Sequence, residues 1–195
     1  MFFNPKDPLG DTIFKKFPLI HINENLNLRD IRISDCQEYF DYINHPKVKI
    51  YVPDSCLPAS PEAAKKELQF FRDLHNRRLS VYWAIVDNND KMIGACGFEK
   101  WSRVHHRLEL AYDLNPEFWR QGIMSKSLSK IISYAFNIMQ CERIEAFLKP
   151  DNIASAKLLN KLNFEKEATL KKYRSFKNEQ IDVDLYAITK AQWQD

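Results

Sequence analysis

Residues 107–165 read RLELAYDLNPEFWRQGIMSKSLSKIISYAFNIMQCERIEAFLKPDNIASAKLLNKLNFE. Leu108 to Leu114 is an apolar-rich strand candidate that Asn115-Pro116 stops, because the residue before proline is kept out of the helical region. A turn containing Gly122 opens a helix whose apolar positions are Leu128, Ile131, Ile132, Ala135, Phe136 and Met139, the spacing of one helix face. Ile144 to Leu148 reads as a second strand. Pro150-Asp151-Asn152 breaks it and starts a helix with Leu158, Leu159 and Leu162 on one side. Strand, helix, strand and helix in this order predict a crossover unit, so the two strands should run parallel. The amides of Gln121, Gly122, Ile123 and Met124 have no helical partner at that helix start. They can bind a phosphate or pyrophosphate, aided by the helix dipole, and Gly122 permits close backbone approach.

The rest of the chain builds outward from this unit. Residues 1–25 hold Pro5, Pro8, Gly10 and Pro18, which prevent a long element, while Ile13, Phe14, Phe17, Leu19 and Ile22 can cover a core. They are expected to form an extension packed on a single domain spanning 26–193. Residues 26–33 read as an edge strand. Ser34 with Gln37 has the form of a capping box, and Ser60-Pro61-Glu62 is a second helix start. The intervening loop, 45–60, carries Tyr51, Pro53, Cys56 and Pro58. These two helices and their loop are where an acceptor could be gripped. SVYWAIV (80–86) and residues 91–99 read as a hairpin about the polar turn 87–90, and Phe164–Tyr173 with Ile181–Ile188 as two more strands. The predicted fold class is mixed α/β: a central mixed sheet of six or seven strands, antiparallel first and parallel at the centre, with helices on both faces.

Composition narrows the function. A chain of 195 residues suits one domain, large enough to bury a core without metal or disulfide staples. A formal net charge of +3 is too small to imply nucleic acid. The densest basic run, Lys171, Lys172, Arg174 and Lys177 near Lys166, reads as a solvated hairpin or as a groove edge for an anion. Cys36, Cys56, Cys96 and Cys141 form no zinc or redox spacing, and reduced thiols in a cytoplasmic protein are expected. No apolar stretch approaches membrane length, and the adjoining His105 and His106 lack a third ligand, so neither a membrane span nor a metal site is expected.

Four segments together resemble the GCN5-related N-acetyltransferases, above all their ribosomal-protein N-terminal (RimJ/RimL-like) branch. They are Leu108–Pro116, Trp119–Met124 with its helix, Asn152-x-x-Ser155 with Leu162-Asn163-Phe164, and the tail Thr169–Trp193. The resemblance covers roughly residues 25–193 and implies a sheet splayed at its centre, with acetyl-CoA as cofactor. It places the pyrophosphate on Arg120, Gln121, Gly122, Ile123, Met124 and Ser125. The pantetheine would lie beside Leu110, Ala111, Tyr112, Asp113 and Leu114, with an amide near Ala111 or Tyr112 polarising the thioester carbonyl. Asn152 either caps its helix or bonds the pantetheine, and Ser155 either sits in the first helical turn or serves the cofactor, by contact with it or by returning a proton to the thiolate.

Glu109 falls where the branch has a glutamate and is the candidate general base. Tyr112 lines the acceptor tunnel or packs, and Tyr173 is a further candidate acid on the thiol side. The implied acceptor is a primary amine, a protein N-terminus foremost, met by a monomer or homodimer. A polyamine or aminoglycoside acceptor is the alternative within the class, which an acidic cleft would favour. A non-catalytic acyl-CoA-binding or interaction module is the alternative outside it. Three positions depart from the family pattern. Arg120 stands where glycine is common, Met124 where glycine or alanine is usual, and Asn163 replaces the glycine of Leu-Gly-Phe. The bulk of Met124 predicts weakened cofactor binding or a reshaped loop.

Overall fold

The computed structural model describes residues 13–194. Eight strands form one sheet: β1 (Ile20–Asn23), β2 (Leu26–Asp30), β3 (Tyr82–Asp87), β4 (Met92–Ser102), β5 (Arg107–Leu114), β6 (Arg143–Leu148), β7 (Glu165–Phe176) and β8 (Glu179–Thr189). Their order is β1-β2-β3-β4-β5-β6-β8-β7. Every neighbouring pair is antiparallel except β5–β6, the parallel pair that the crossover predicts. The sheet exceeds the expected six or seven strands because Ile20-His21-Ile22-Asn23 alternates half-buried and exposed residues and adds β1 beyond β2. The Trp83 indole anchors the approach to β1, donating to the Pro18 carbonyl at 2.7 Å. Residues 1–12 of the expected N-terminal extension lie outside the described residues.

The helices are α1 (Cys36–Ile43), the single turn α2 (Pro46–Lys49), α3 (Pro61–Asn76), α4 (Ile123–Asn137) and α5 (Ile153–Lys161). The start of α3 is the one its sequence signals, with the Ser60 hydroxyl accepting from the Ala63 amide at 3.2 Å. The start of α1 differs. A 3-10 turn, Ile33–Asp35, precedes it, and Asp35 rather than Ser34 holds the N-cap position. The Asp35 carboxylate is buried, because both of its oxygens accept from the Arg29 guanidinium at 2.8 Å. Arg29 also holds Asp90, tying the β3–β4 turn to the start of α1.

Strand alternation sorts the side chains into two cores. One lies under α4 and α5, where Leu128, Ile131, Ile132 and Phe136 meet Leu108, Leu110, Ile144 and Ala146. The other lies under α1 and α3, where Tyr39, Tyr42, Ala64 and Leu68 meet Tyr82, Ala84 and Ala95. Phe71 of α3 stacks on Tyr82 with ring centroids 4.5 Å apart. Tyr82 in turn pairs with Gly97, where a Cβ would come within 2.6 Å of the Tyr82 Cα. Glycine is therefore required for β3 and β4 to approach this closely. The four thiols are unpaired, and Cys96 and Cys141 are buried. The basic run on β7 is matched across its hairpin, Lys166 by Asp184 at 2.7 Å and Lys171 by Asp182 at 2.8 Å, which accords with a solvated hairpin. No helix among the described residues is long and apolar enough to cross a membrane.

Candidate active site

The parallel register holds for three pairs, Arg107–Arg143, Leu108–Ile144 and Glu109–Glu145, and then ends. Beyond it β5 follows β4 as far as the Leu114–Gly94 pair, while β6 follows β8 to the Leu148–Asp184 pair. Each strand keeps its outer neighbour, so the two part. The edge of β5 that faces β6 is left without a strand partner among the described residues from Leu110 to Leu114. At the far end the Trp119 indole donates to the Leu114 carbonyl at 2.8 Å, fixing the start of the loop that follows.

That loop runs through the 3-10 turn Pro116–Phe118 to two left-handed residues, Arg120 at φ 62° and Gly122 at φ 74°. Closely spaced left-handed residues fold a backbone into a concavity lined by amides. Gly122 offers no side-chain cap, and the first backbone bond into α4 runs from the Lys126 amide to the Gly122 carbonyl at 3.0 Å. The amides of Gln121, Gly122, Ile123, Met124 and Ser125 find no acceptor among the described residues. The first turn of α4 holds no acidic residue, and Arg120 and Gln121 are exposed around it. Such a helix start has the donor geometry that suits an anion, and nothing among the described residues satisfies those donors.

Met124 lies in the first turn of α4, and its side chain is buried in the core cluster that also holds Ile123 and Leu128. The reason is the helical period: position 124 precedes Leu128 by four residues on the same face. Asn163 has φ 63°, which asparagine tolerates where the family has glycine.

Three further sequence candidates come together where β5 leaves β6. The Asn152 side chain caps α5, its Oδ1 accepting from the Ser155 amide at 3.1 Å. Ser155 lies beside Tyr112, whose hydroxyl is buried without a hydrogen-bond partner among the described residues. Burial pushes the Tyr112 phenol up, and the adjoining Ser155 side chain pulls it the other way. Glu109 and Tyr173 belong to the other side of the sheet. Glu109 is buried, with Oε2 accepting from Lys100 at 2.8 Å and Oε1 from Arg174. Arg174 lies 5.0 Å from the centre of the Phe147 ring, and Tyr173 stacks on the same ring at 5.5 Å. Tyr173 thus groups with Glu109 rather than with Tyr112 and Ser155.

The Glu109 side of the sheet carries Lys100, Glu67 and Glu99, which the sequence reading passed over, and Asp113, which it placed only beside the pantetheine. Lys100 reaches Glu109 because a bulge between Phe98 and Trp101 interrupts β4. Asp113, two residues beyond Ala111 on the same face, is pushed up to about 7 by burial, with the adjoining Tyr42 hydroxyl pulling the other way. Glu99 is exposed; desolvation, followed by the charge of Glu109, raises it, while Arg174 and Lys100 pull the other way. Desolvation and the charge of Glu99 raise Glu67 of α3. The signal for Asp113 was available in the alternation of Glu109, Ala111 and Asp113. Nothing local marks Glu67 and Glu99, which meet only through the tertiary fold. Lys149 Nζ sits over the rings of Tyr51 and Phe176, at 5.8 and 4.8 Å, which brings the loop before α3 against the β7–β8 hairpin.

Residues 25–165 match the sequence pattern described as the acetyltransferase (GNAT) domain. The chain is 33% identical to the uncharacterized N-acetyltransferase p20 of Bacillus licheniformis, over 87% of this chain and 96% of that one. It is 29% identical to the ribosomal protein uS5-alanine N-acetyltransferase of Escherichia coli K12, over 71% of each chain. Among solved structures, RimL, the ribosomal L7/L12 alpha-N-protein acetyltransferase, in complex with coenzyme A, superposes with a TM-score of 0.80 at 23% identity. That match covers 88% of this chain and 98% of RimL. A domain match over most of the chain, a relative of this identity along nearly its whole length and a common fold lead to one conclusion: the protein belongs to the GNAT family of N-acetyltransferases.

Proposed function

We propose that the protein transfers the acetyl group of acetyl-CoA to a primary amine, and that the acceptor is the N-terminal α-amine of a protein. One observation carries the donor half: the strand edge from Leu110 to Leu114 leads to the five amides of residues 121–125, and neither has a partner among the described residues. An extended, amide-bearing pantetheine suits such an edge as an added strand would, and a diphosphate suits the helix start. With Ile123 and Met124 turned into the core and no acid in the first turn, the residues present fit the group.

Acetyl-CoA supplies an acetyl group activated as a thioester. The acceptor nitrogen bonds to the carbonyl carbon, the carbon–sulfur bond breaks, and the proton lost by the amine balances the one gained by sulfur. An amide of Ala111 or Tyr112 on the free edge stabilises charge on the carbonyl oxygen. Glu109 accepts the amine proton directly or through water; Lys100 and Arg174 fix its carboxylate. Tyr112 and Ser155 stand together at the opposite side of the strand, where a hydroxyl can return a proton to sulfur. An α-amine with a pKa near 8 is partly neutral at pH 7, so the base has less to do than it would for a lysine.

The relatives that act on uS5 alanine and on L7/L12 support a protein N-terminus as acceptor. The negative charge of Glu99 at Glu67 favours a second reading, a small polycationic amine, since neighbouring carboxylates attract cations. The test is thiol release from acetyl-CoA across peptides of varied first residue and a set of small amines, with mass spectrometry of the products. The proposal expects acetylation at the peptide α-amine. Inert peptides beside rapid turnover of small amines would contradict it.

A further inference from the structure

Glu109 ends the parallel register. It pairs with Glu145, and the free edge of β5 begins at the next residue. Ala111, two positions on, shares its face, and at about 3.3 Å per residue their Cα atoms lie roughly 7 Å apart. The candidate base therefore stands one strand repeat from the amides offered to the thioester carbonyl. An acceptor nitrogen has to enter that interval.

One amine of the chain is already beside it. Across from Glu109 the β4–β5 ladder slips: Phe98 pairs with Leu110 and Trp101 with Leu108, so Glu99 and Lys100 together face one residue. A bulge of this kind re-aims a side chain. Lys100 Nζ lies 2.8 Å from Glu109 Oε2, and Arg174 takes Oε1. The two donors differ in chemistry. A guanidinium does not lose its proton near neutral pH, whereas a lysine amine becomes a nucleophile once a base has taken its proton. They differ in restraint as well. Arg174 lies over the Phe147 ring, while the Lys100 side chain is 72% exposed and weakly held. Lys65, Lys149, Lys166 and Lys171 pair with carboxylates on α3, before α5 and on β8, none of them on the central strand.

We propose that Lys100 is a self-acetylation site: with no acceptor bound, its Nζ takes the acetyl group from acetyl-CoA held by the same molecule. The inference rests on the acetyltransferase reading above and adds a residue of the chain itself to the acceptors. The ammonium passes one proton to Glu109 and on to water. Nζ bonds to the carbonyl carbon, the carbon–sulfur bond breaks, and the second proton that the nitrogen sheds ends on sulfur, giving acetyl-lysine and free coenzyme A. The acetylated side chain carries no charge, so it gives up its ion pair with Glu109 and leaves the carboxylate to Arg174 alone.

The test incubates the full chain with acetyl-CoA and no other amine, and follows acetylation by peptide mass spectrometry. Lys91, exposed beside the β3–β4 turn, reports the uncatalysed background. Lys100 is expected to react at least tenfold faster than Lys91, at a fractional rate that stays constant over a hundredfold range of protein concentration. Unfolding in urea, or Glu109→Gln, brings the ratio to within threefold. A saturating peptide acceptor slows Lys100 at least fivefold, because both amines need the same base. Equal rates at Lys100 and Lys91 in the native protein, a fractional rate that rises with protein concentration, or a ratio that survives Glu109→Gln overturns the proposal. Turnover of added amines with Lys100 unmodified removes the proposal and leaves the acetyltransferase reading standing. No thiol release to any amine removes both.

Trace reductive methylation reads the placement of Lys100 without turnover. The probe is S-ethyl-coenzyme A, a thioether that cannot transfer its group. At saturation it slows methylation of Lys100 at least threefold and leaves Lys91 unchanged; a Lys100 that stays unshielded overturns the proposal.

Discussion

Replacing Glu109 by glutamine separates its structural work from its chemical work. The substitution conserves volume, so no cavity term enters. It removes the charge that Lys100 and Arg174 face. Lys100 is 72% exposed in its side chain and turns to water at a cost of about 0–1 kcal/mol. Arg174 is 35% exposed and lies over Phe147, so its loss is larger. A hydrogen bond to a charged group is worth roughly 1.5–3 kcal/mol, and the glutamine oxygen still accepts one, which leaves about 1–2 kcal/mol. The sum, about 2 kcal/mol, lowers Tm by roughly 4–8 °C for a chain of this size. With a typical folding stability of about 5–15 kcal/mol the variant stays folded at 25 °C, so a lost rate there is a loss of chemistry.

If Glu109 takes a proton from the acceptor ammonium, thiol release with an N-terminal peptide falls at least tenfold at pH 7, where only about a tenth of an α-amine is neutral. The deficit shrinks toward pH 9, where the amine deprotonates unaided. The assay is thiol release per folded molecule at both pH values. A rate within twofold of wild type at pH 7, or an equal deficit at both, would refute the base role.

Gly122→Ala meets no atom within 4 Å, so its effect comes from the left-handed φ of 74°. Strain of about 1–2 kcal/mol relaxes by rotating the amides, and the Kd for coenzyme A should rise at least tenfold in calorimetry while Tm changes little. Met124→Ala removes a buried core side chain at a cost of about 2–5 kcal/mol, visible as a lower Tm, yet coenzyme A affinity should stay within threefold. A tenfold gain in affinity would show that the methionine stands in the groove after all. Asp113 has a folded-state pKa raised from an ordinary 3.8 to about 7, so its stabilising contribution is fully present below pH 4 and is lost as pH rises through 7. The displacement corresponds to on the order of 4 kcal/mol. Asp113→Asn should therefore flatten denaturant-measured stability between pH 4 and 8 and exceed wild type at the alkaline end; an unchanged slope would contradict the burial argument.

The crossover from β5 to β6 was legible because periodicity and the Asn115-Pro116 and Pro150-Asp151-Asn152 breaks depend on neighbouring residues alone. The same holds for the Ser60 cap and for Gly122, whose conformation only glycine adopts freely. Ser34 was misread because the capping signal ignores partners far along the chain: Arg29 draws Asp35 inward, and Asp90 completes that network. Met124 looked obstructive when read as a loop residue and proved to be the first turn of an apolar helix face. β1 was hidden by the prolines around it. On the Glu109 side the sequence yielded the glutamate but neither of its cations. Arg174 comes from a strand that follows α5, and Lys100 from a bulge that no pattern announces. Glu67 and Glu99 lie on different elements, and only the closed sheet under α3 makes them neighbours.

The central claim is that a nucleotide thioester lies along the free edge of β5 with its diphosphate on the amides at the start of α4. Backbone amide chemical shifts and hydrogen exchange, recorded while coenzyme A is added to the wild type, test it most directly. The account predicts that Leu110 to Leu114 and Gln121 to Ser125 shift most and gain protection, while β1, β2 and β3 stay still. Saturable binding with those two segments unmoved, or no binding at millimolar coenzyme A, would contradict it.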